Sequence, residues 1–234
     1  MLQNDLRSFT IDYLLKHRLP NNSLLHPVPN MSCPALRLIC LSIIATLACL
    51  GPQAAAKSFS YVVIDPGHGG HDKGGNHGLV YEKHLALDTA LRLEYYLKQR
   101  GIRTKMTRRS DDFISLPGRV SIANRYRNSI LVSIHYNHVW KRDPYGLETF
   151  YYGREGKKLA SRIQGNICSK LNTINRGVKQ AKFYVLRNSR YPAVLVECGF
   201  VSNSNERSRM KKAWYRQSLA EGIGEGILQY KKSW

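Results

Sequence analysis

Four side chains in this sequence have the chemistry to hold a cation and move a proton: His68, Glu82, His135 and Glu197. His68 lies in YVVIDPGHGGHDKGGNHG, residues 61–78, where three histidines, two aspartates and six glycines crowd around and after a short apolar run. Imidazole nitrogen and carboxylate oxygen bind divalent ions, and glycine lets a loop bend around one. Glu82 follows this glycine-rich loop, His135 ends the apolar run ILVSIH, and Glu197 stands near the end of AVLVECGF. A bare imidazole in an apolar run costs desolvation free energy unless something uses it. Zn2+ in a catalytic site takes three protein ligands and leaves a fourth position to water. His68, Glu82 and His135 fill that quota, which leaves Glu197 for proton transfer.

The elements that must bring these residues together are legible as periodicities. Tyr61 to Asp65 is short, β-branched and ended by Pro66-Gly67, a buried-strand pattern. Glu82 to Arg100 reads as a helix with Leu85, Thr89, Leu93 and Tyr96 on one face and Gly101 as its stop. Ile102 to Thr107 returns as a strand, and a second helix starts near Pro117. SILVSIHYN, Leu147 to Tyr152, KFYVLR (182–187) and AVLVECGF (193–200) read as four more strands. Gly156 to Leu171 is helical, Ser204 or Asn205 caps a short helix, and Arg216 to Tyr230 is the last helix. Helices alternating with short, uniformly apolar strands predict an α/β fold, with a mixed, mostly parallel sheet of about six strands flanked by helices on both faces. The direct passage from SIHYN to LETFYY predicts its antiparallel part. In such sheets functional groups gather at the carboxyl ends of the strands, so the four residues are expected on one rim.

Composition bounds the setting. A chain of 234 residues with 43% hydrophobic and 22% charged residues suits one core domain plus an extra segment. Lys and Arg outnumber Asp and Glu by 36 to 16, and the pI is near 10.0. Such a surface attracts polyanions: nucleic acid, anionic lipid or acidic cell-wall polymer. Nucleic acid is disfavoured, because the chain has no phosphate cradle, single-strand aromatic platform or zinc-finger spacing. From Met31, Arg37 precedes the apolar stretch Leu38 to Leu50, too short to span a bilayer. Ala54-Ala55-Ala56 then offers a signal-peptidase site. The expected organisation is a signal peptide over 31–56, a preceding extension over 1–30 and a single catalytic domain over 57–234. The extension is either a tail or the product of a start codon set too far upstream. Cleavage leaves 32 basic and 14 acidic residues, a net +18, and only Cys168 and Cys198 of five cysteines. Two cysteines make no disulfide framework.

The motifs IDPGHGGHDKGG, EK at Glu82-Lys83, TRRSDDFISLPGRVSIAN, SIHYN, GLETFYY, RGVKQAKFYVLR and PAVLVECGFVSN occur in an order that resembles the zinc-dependent N-acetylmuramoyl-L-alanine amidases of the third amidase class. The resemblance covers about residues 60–230. It implies a phosphorylase/hydrolase-like sandwich and hydrolysis of the amide between N-acetylmuramic acid and L-alanine in peptidoglycan. Position by position, it implies His68, Glu82 and His135 as zinc ligands and Glu197 as the catalytic glutamate. Lys73 and Cys198 depart mildly from the family pattern, and neither replaces a ligand. Regulated members carry a long helix after the SIH strand that plugs the zinc site. About ten residues separate His135 from Gly146 here, so an open site without a blocking helix is expected.

The resemblance also implies Zn2+ as cofactor and peptidoglycan as partner, as muropeptides or a lipid-linked precursor. The chain is also expected to bind no nucleic acid, to keep no stable membrane span after cleavage, to be a monomer, and to be exported to the periplasm or secreted to the cell wall. Asn137, two residues beyond His135, is the candidate substrate contact. Asp65 either orients His68 or bonds its own turn, and Arg119 and Asn124 tie their helix to the sheet. Two rival readings stand beside this one: a zinc peptidase cutting elsewhere in the stem peptide, and a non-catalytic peptidoglycan- or polyanion-binding module.

Overall fold

The computed structural model of the protein describes residues 58–140 and 144–233. The expected extension over 1–30 and signal peptide over 31–56 lie outside them. A six-stranded sheet runs in the order β4-β1-β5-β8-β6-β7. Its strands are β1 (Tyr61–Pro66), β4 (Thr104–Met106), β5 (Ser129–Asn137), β6 (Leu147–Tyr151), β7 (Asn175–Gln180) and β8 (Ala193–Phe200). The pairs β1/β4, β1/β5, β5/β8 and β6/β7 are parallel, and β6 runs antiparallel to β8. The mixed, mostly parallel sheet expected from the sequence is thus the one found. A small hairpin, β2 (Asn76–His77) with β3 (Val80–Tyr81), stands apart from it.

The central strands are apolar throughout because both faces are covered. On one face Val62, Ile64, Ile130, Val132, Ile134, Val194 and Val196 pack against three helices. These are α1 (Glu82–Lys98), α3 (Arg154–Lys170) and α6 (Ala213–Lys232). On the other face Val63, Leu131 and Leu195 pack against Val120, Ala123, Val185 and Leu186. Those residues belong to α2 (Leu116–Asn124) and α4 (Tyr184–Arg187). Burying Leu85, Thr89, Leu93 and Tyr96 gives α1 its stripe at helical spacing. Helices α3 and α6 approach closely: a Cβ at Gly226 would lie 2.5 Å from the Cα of Ile163, and one at Gly222 2.9 Å from that of Ile167.

Helix α2 is capped by Ser115, whose Oγ accepts from the Gly118 amide at 3.2 Å. Helix α5 (Ser204–Met210) is capped by Asn203, one residue before the expected Ser204 or Asn205. One strand moved. KFYVLR is not extended: Tyr184–Arg187 forms the single turn α4, and the strand is the preceding NRGVKQ. Consecutive Val185 and Leu186 are both buried against α2, which a turn of helix allows and a strand's alternation does not. The edge strand β7 is half-exposed and largely polar, so an apolar-run criterion passes over it. Among the described residues no helix is long and apolar enough to cross a membrane. Cys168 and Cys198 are both free.

Candidate metal centre

Strand alternation turns Asp65, Ser133, His135, Leu195 and Glu197 to the α2/α4 side of the sheet. His135 and Glu197 are register partners on the parallel pair β5/β8. Glu82 opens α1, where the helix dipole favours a carboxylate, and its own amide donates to the Gly75 carbonyl at 2.8 Å. His68 sits in the loop after β1 with φ of +56°, left-handed backbone that a non-glycine residue enters only under outside restraint.

That restraint comes from cations. Arg119 donates to the carbonyls of Pro66 at 2.5 Å and His68 at 2.6 Å. Arg108 donates to the carbonyls of Pro66 at 3.1 Å and Gly67 at 2.6 Å. Lys83 donates to the Gly70 carbonyl at 2.7 Å, and Asp111 accepts from the Gly70 amide at 2.9 Å. Four loop carbonyls, those of Pro66, Gly67, His68 and Gly70, are therefore held by cationic side chains instead of a sheet ladder.

The result is convergence. Ligand atoms of His68, Glu82 and His135 lie within 4.8 Å of one another. Glu82 Oε2 is 3.1 Å from His68 Nε2, and Glu82 Oε1 is 2.8 Å from His135 Nδ1. Glu82 also accepts from the amides of Gly75 at 2.7 Å and Tyr136 at 3.0 Å, so its carboxylate is fixed from four sides. The rings of His68 and His135 stand edge to face with centroids 5.0 Å apart. Small residues make the room. A Cβ at Gly67 would fall 2.4 Å from the His135 ring, and one at Gly74 2.6 Å from Glu82 Oε2.

The donor set fits a metal. Two imidazole nitrogens and one carboxylate are the ligand types Zn2+ and similar borderline ions take. His68 Nδ1 meets Asp72 Oδ2 at 2.8 Å, which fixes the ring and directs the lone pair of Nε2 inward. Burial pushes the Glu82 carboxyl up, but hydrogen bonds from His135 and His68 overcome it and leave it well below the usual range. Burial lowers the His68 imidazole, yet Glu82 and Asp72 raise it above its ordinary value. Glu197 is different: its Oε2 is shut off from solvent and has no hydrogen-bond partner among the described residues. Burial, then the nearby Glu82 and Glu148 carboxylates, push its carboxyl well above the usual range. An unpartnered buried carboxylate oxygen beside a ligand cluster marks where chemistry is done.

The family is decided by comparison. A model of the Amidase_3 family, described as N-acetylmuramoyl-L-alanine amidase, matches residues 62–229. The chain belongs to this family. It is 37% identical over 173 residues to the N-acetylmuramoyl-L-alanine amidase LytC of Bacillus subtilis, covering 72% of this chain and 35% of LytC. The chain thus spans about a third of LytC's length. It is 32% identical over 196 residues to the germination-specific N-acetylmuramoyl-L-alanine amidase of the same organism, across 76% of this chain and 83% of that one. The crystal structure of an N-acetylmuramoyl-L-alanine amidase from Clostridium difficile superposes with a TM-score of 0.72 at 39% identity, over 75% of this chain and 98% of that one.

Other residues of the chain fall out differently from their sequence reading. Asp65 does not touch His68. It is buried in β1 and accepts from Thr107 at 2.6 Å, Arg119 at 2.7 Å and Ser133 at 2.7 Å. The residue that orients His68 is Asp72, four positions on in the same loop. Asn137 donates to Glu148 Oε1 at 2.9 Å. Glu148, the antiparallel register partner of Glu197, also accepts from Arg176 at 3.1 Å and from Lys179. Sequence pattern alone does not single out this buried carboxylate, although a glutamate inside a mostly apolar strand carries the same desolvation signal as His135. His71 stacks on Phe113, and His84 faces Asp111, so both lie outside the cluster. A cleft of about 480 Å³ opens over His68, His135 and Glu197. Phe113, Leu116, Phe183 and Tyr184 line its walls.

Proposed function

We propose that this chain is a zinc-dependent N-acetylmuramoyl-L-alanine amidase of the cell envelope, with His68, Glu82 and His135 as metal ligands and Glu197 as the catalytic acid–base. The observation that carries the reading is the pairing of a three-donor cluster with the unpartnered Oε2 of Glu197 on neighbouring register positions. Zn2+, when bound, would polarise the scissile carbonyl and lower the pKa of water towards about 7.

The chain's own groups supply the rest. The Glu197 carboxylate takes the proton of the attacking water and returns it to the L-alanine nitrogen as the amide breaks. Its raised proton affinity suits a group that must both accept and deliver. Asp72 holds the His68 tautomer, and Arg119, Arg108 and Lys83 hold the loop. The apolar walls of the cleft exclude water from the breaking bond. Asn137, two residues beyond His135 on the same strand and held by Glu148, is the substrate contact of this reading. Between His135 and Leu147 no helix occurs among the described residues, which supports a site that needs no partner to unblock it. The apolar segment before residue 57 supports export to the periplasm or wall, and the protein acts as a monomer.

Digestion of purified peptidoglycan tests this. The wild-type chain releases stem peptides with a free N-terminal L-alanine, a chelator abolishes release, and Glu197→Gln slows it by about 10²–10⁴-fold. Products cut within the stem would make it a peptidase, and binding without any cleavage would make it a wall-binding module.

A further inference from the structure

The two layers that cover the sheet differ in charge. The α1/α3/α6 layer carries Asp88, Glu94, Glu155, Glu221 and Glu225 among its cations. Most of these acids are engaged there: Asp88 with Arg92, Glu94 with Lys98, Glu155 with Lys158, and Glu225 with Lys170. The α2/α4 layer, residues 116–128 and 181–192, contains no acidic residue at all. Arg125, Arg127, Lys182, Arg187 and Arg190 are exposed on it, and Lys105 of β4 is exposed beside it.

These cations share one surface. The side chain of Asn124 donates to the Asn188 carbonyl at 3.3 Å and accepts from the Arg190 amide at 2.9 Å, which joins the end of α2 to the segment after α4. Tyr126 packs against Tyr61 with centroids 5.4 Å apart, and the Lys105 ammonium lies 5.4 Å from the Tyr126 ring. The surface is also continuous with the cleft. Phe183, Tyr184 and Val185 line the cleft, with Lys182 immediately before them and Arg187 and Arg190 just after.

We propose that this cationic face is a docking track for the peptidoglycan strand itself, which it holds by the free carboxylates of stem peptides adjacent to the one being cut. The inference rests on the peptidoglycan reading of the cleft. A polymer crossing the cleft past Phe183 and Tyr184 runs directly onto this face. Its neighbouring stems present repeated carboxylates at variable positions. Long exposed Arg and Lys side chains reach such groups without a fixed pocket, and cations that make no ion pair among the described residues, on a layer without acids of its own, favour anionic groups. The device does the work of a separate wall-binding domain by holding the chain on an insoluble substrate between cleavages.

Binding of the full chain carrying Glu197→Gln, which leaves the polymer intact, is measured on isolated sacculi. Three preparations are compared: native, stripped of phosphodiester-linked polymers with hydrofluoric acid, and with stem carboxyls converted to amides. Phosphatidylglycerol vesicles form a fourth arm. The expected result is equal binding to native and stripped sacculi, loss of binding after amidation, and weakening by salt. Each exposed ion pair contributes roughly a 2.3-fold affinity factor. The variant Arg125→Gln/Arg127→Gln/Arg187→Gln/Arg190→Gln then binds about thirtyfold more weakly. The two pairs made separately each bind about fivefold more weakly, which keeps the test intact if the fourfold variant folds poorly. Without the Glu197 change, the fourfold variant cleaves a soluble muropeptide at the wild-type rate but shows a raised KM on sacculi. Unchanged sacculus binding by both pairs overturns the proposal. So does loss of binding on removal of phosphodiesters, or an effect confined to the vesicles. A chain that binds carboxylated sacculi through these arginines yet cleaves nothing keeps the track and removes the amidase reading instead.

Discussion

Gly67 is the residue whose replacement most directly separates a metal centre from a merely packed loop. A Cβ built there lies 2.4 Å from Cε1, 2.6 Å from Nε2 and 2.7 Å from Nδ1 of His135. Ordinary carbon contacts begin near 3.4 Å, so the ring must retreat by about 1 Å in Gly67→Ala. The backbone on the other side cannot give way easily. The Gly67 amide donates to the Ile134 carbonyl at 2.9 Å, and its carbonyl accepts from Arg108 at 2.6 Å. The ring in turn is pinned by Glu82 at 2.8 Å. A misplacement of about 1 Å at a reacting centre costs on the order of 10²-fold in rate. Overpacking itself costs about 1–3 kcal/mol of stability. The expected outcome is a folded protein with kcat lowered about 100-fold and metal affinity lowered at least about tenfold. Metal content after dialysis against a competing chelator, calorimetry and turnover on purified peptidoglycan read these separately. Gly165→Ala is the control: its Cβ would enter open space in the middle of α3, so metal content and rate stay at the wild-type level. A Gly67→Ala protein with full metal content and full rate would refute the reasoning, because the His135 ring would then not be where the chemistry needs it.

Two further outcomes follow from other contacts. Asp72→Ala frees the His68 tautomer and weakens metal binding by about 10–100-fold, with the lower end expected because the carboxylate is 40% exposed; competition titration with a chromophoric chelator checks it. Asp88 joins α1 to α6 through Arg92 and Arg216. Burial pushes its carboxyl up, but hydrogen bonds from the two arginines overcome it and hold the carboxyl below its usual value. A depressed carboxyl stabilises the fold above its unfolded pKa of about 3.9, and that contribution is lost as pH falls through the folded value. Since the Asp88 side chain is 38% exposed, Asp88→Asn costs only about 0.5–1 kcal/mol at pH 7. Denaturant titrations should show that gap closing as the pH falls below about 4, and a gap that widens in acid would contradict the assignment.

What could be read from the sequence, and what could not, divides along the kind of restraint involved. The strands β1, β5 and β8 are buried on both faces, so they read as unbroken apolar runs, and any polar residue at their ends stands out. His135 and Glu197 were visible for that reason, and the ordered motifs then attached His68 and Glu82 to them. Glu148 carried the same signal in β6, but the aromatic and β-branched residues around it read as a strand with one solvent-facing position. Only the antiparallel pairing with β8 turns that position toward Glu197.

The loop from 66 to 75 shows the opposite case. Periodicity has nothing to say where φ takes positive values at His68, Gly69, Gly70 and Gly74, because no repeat decides which way each side chain points. Asp65 is the nearer carboxylate in sequence, yet strand geometry commits it to the interior, where Thr107, Arg119 and Ser133 engage both of its oxygens. Asp72 reaches His68 only because the chain reverses on itself, with Gly69 and Asp72 exchanging backbone hydrogen bonds at 2.9 and 3.1 Å. The cations that hold this reversal come from α1, α2 and the segment after β4, distant in sequence and joined only by the fold. A site built this way places the candidate ligands Glu82 and His135 on rigid elements where the sequence announces them. It leaves His68 to a loop that carries no propensity of its own and is held by Arg108, Arg119 and Lys83 on its carbonyls. Losing one of those cations should therefore loosen the centre before it loosens the core.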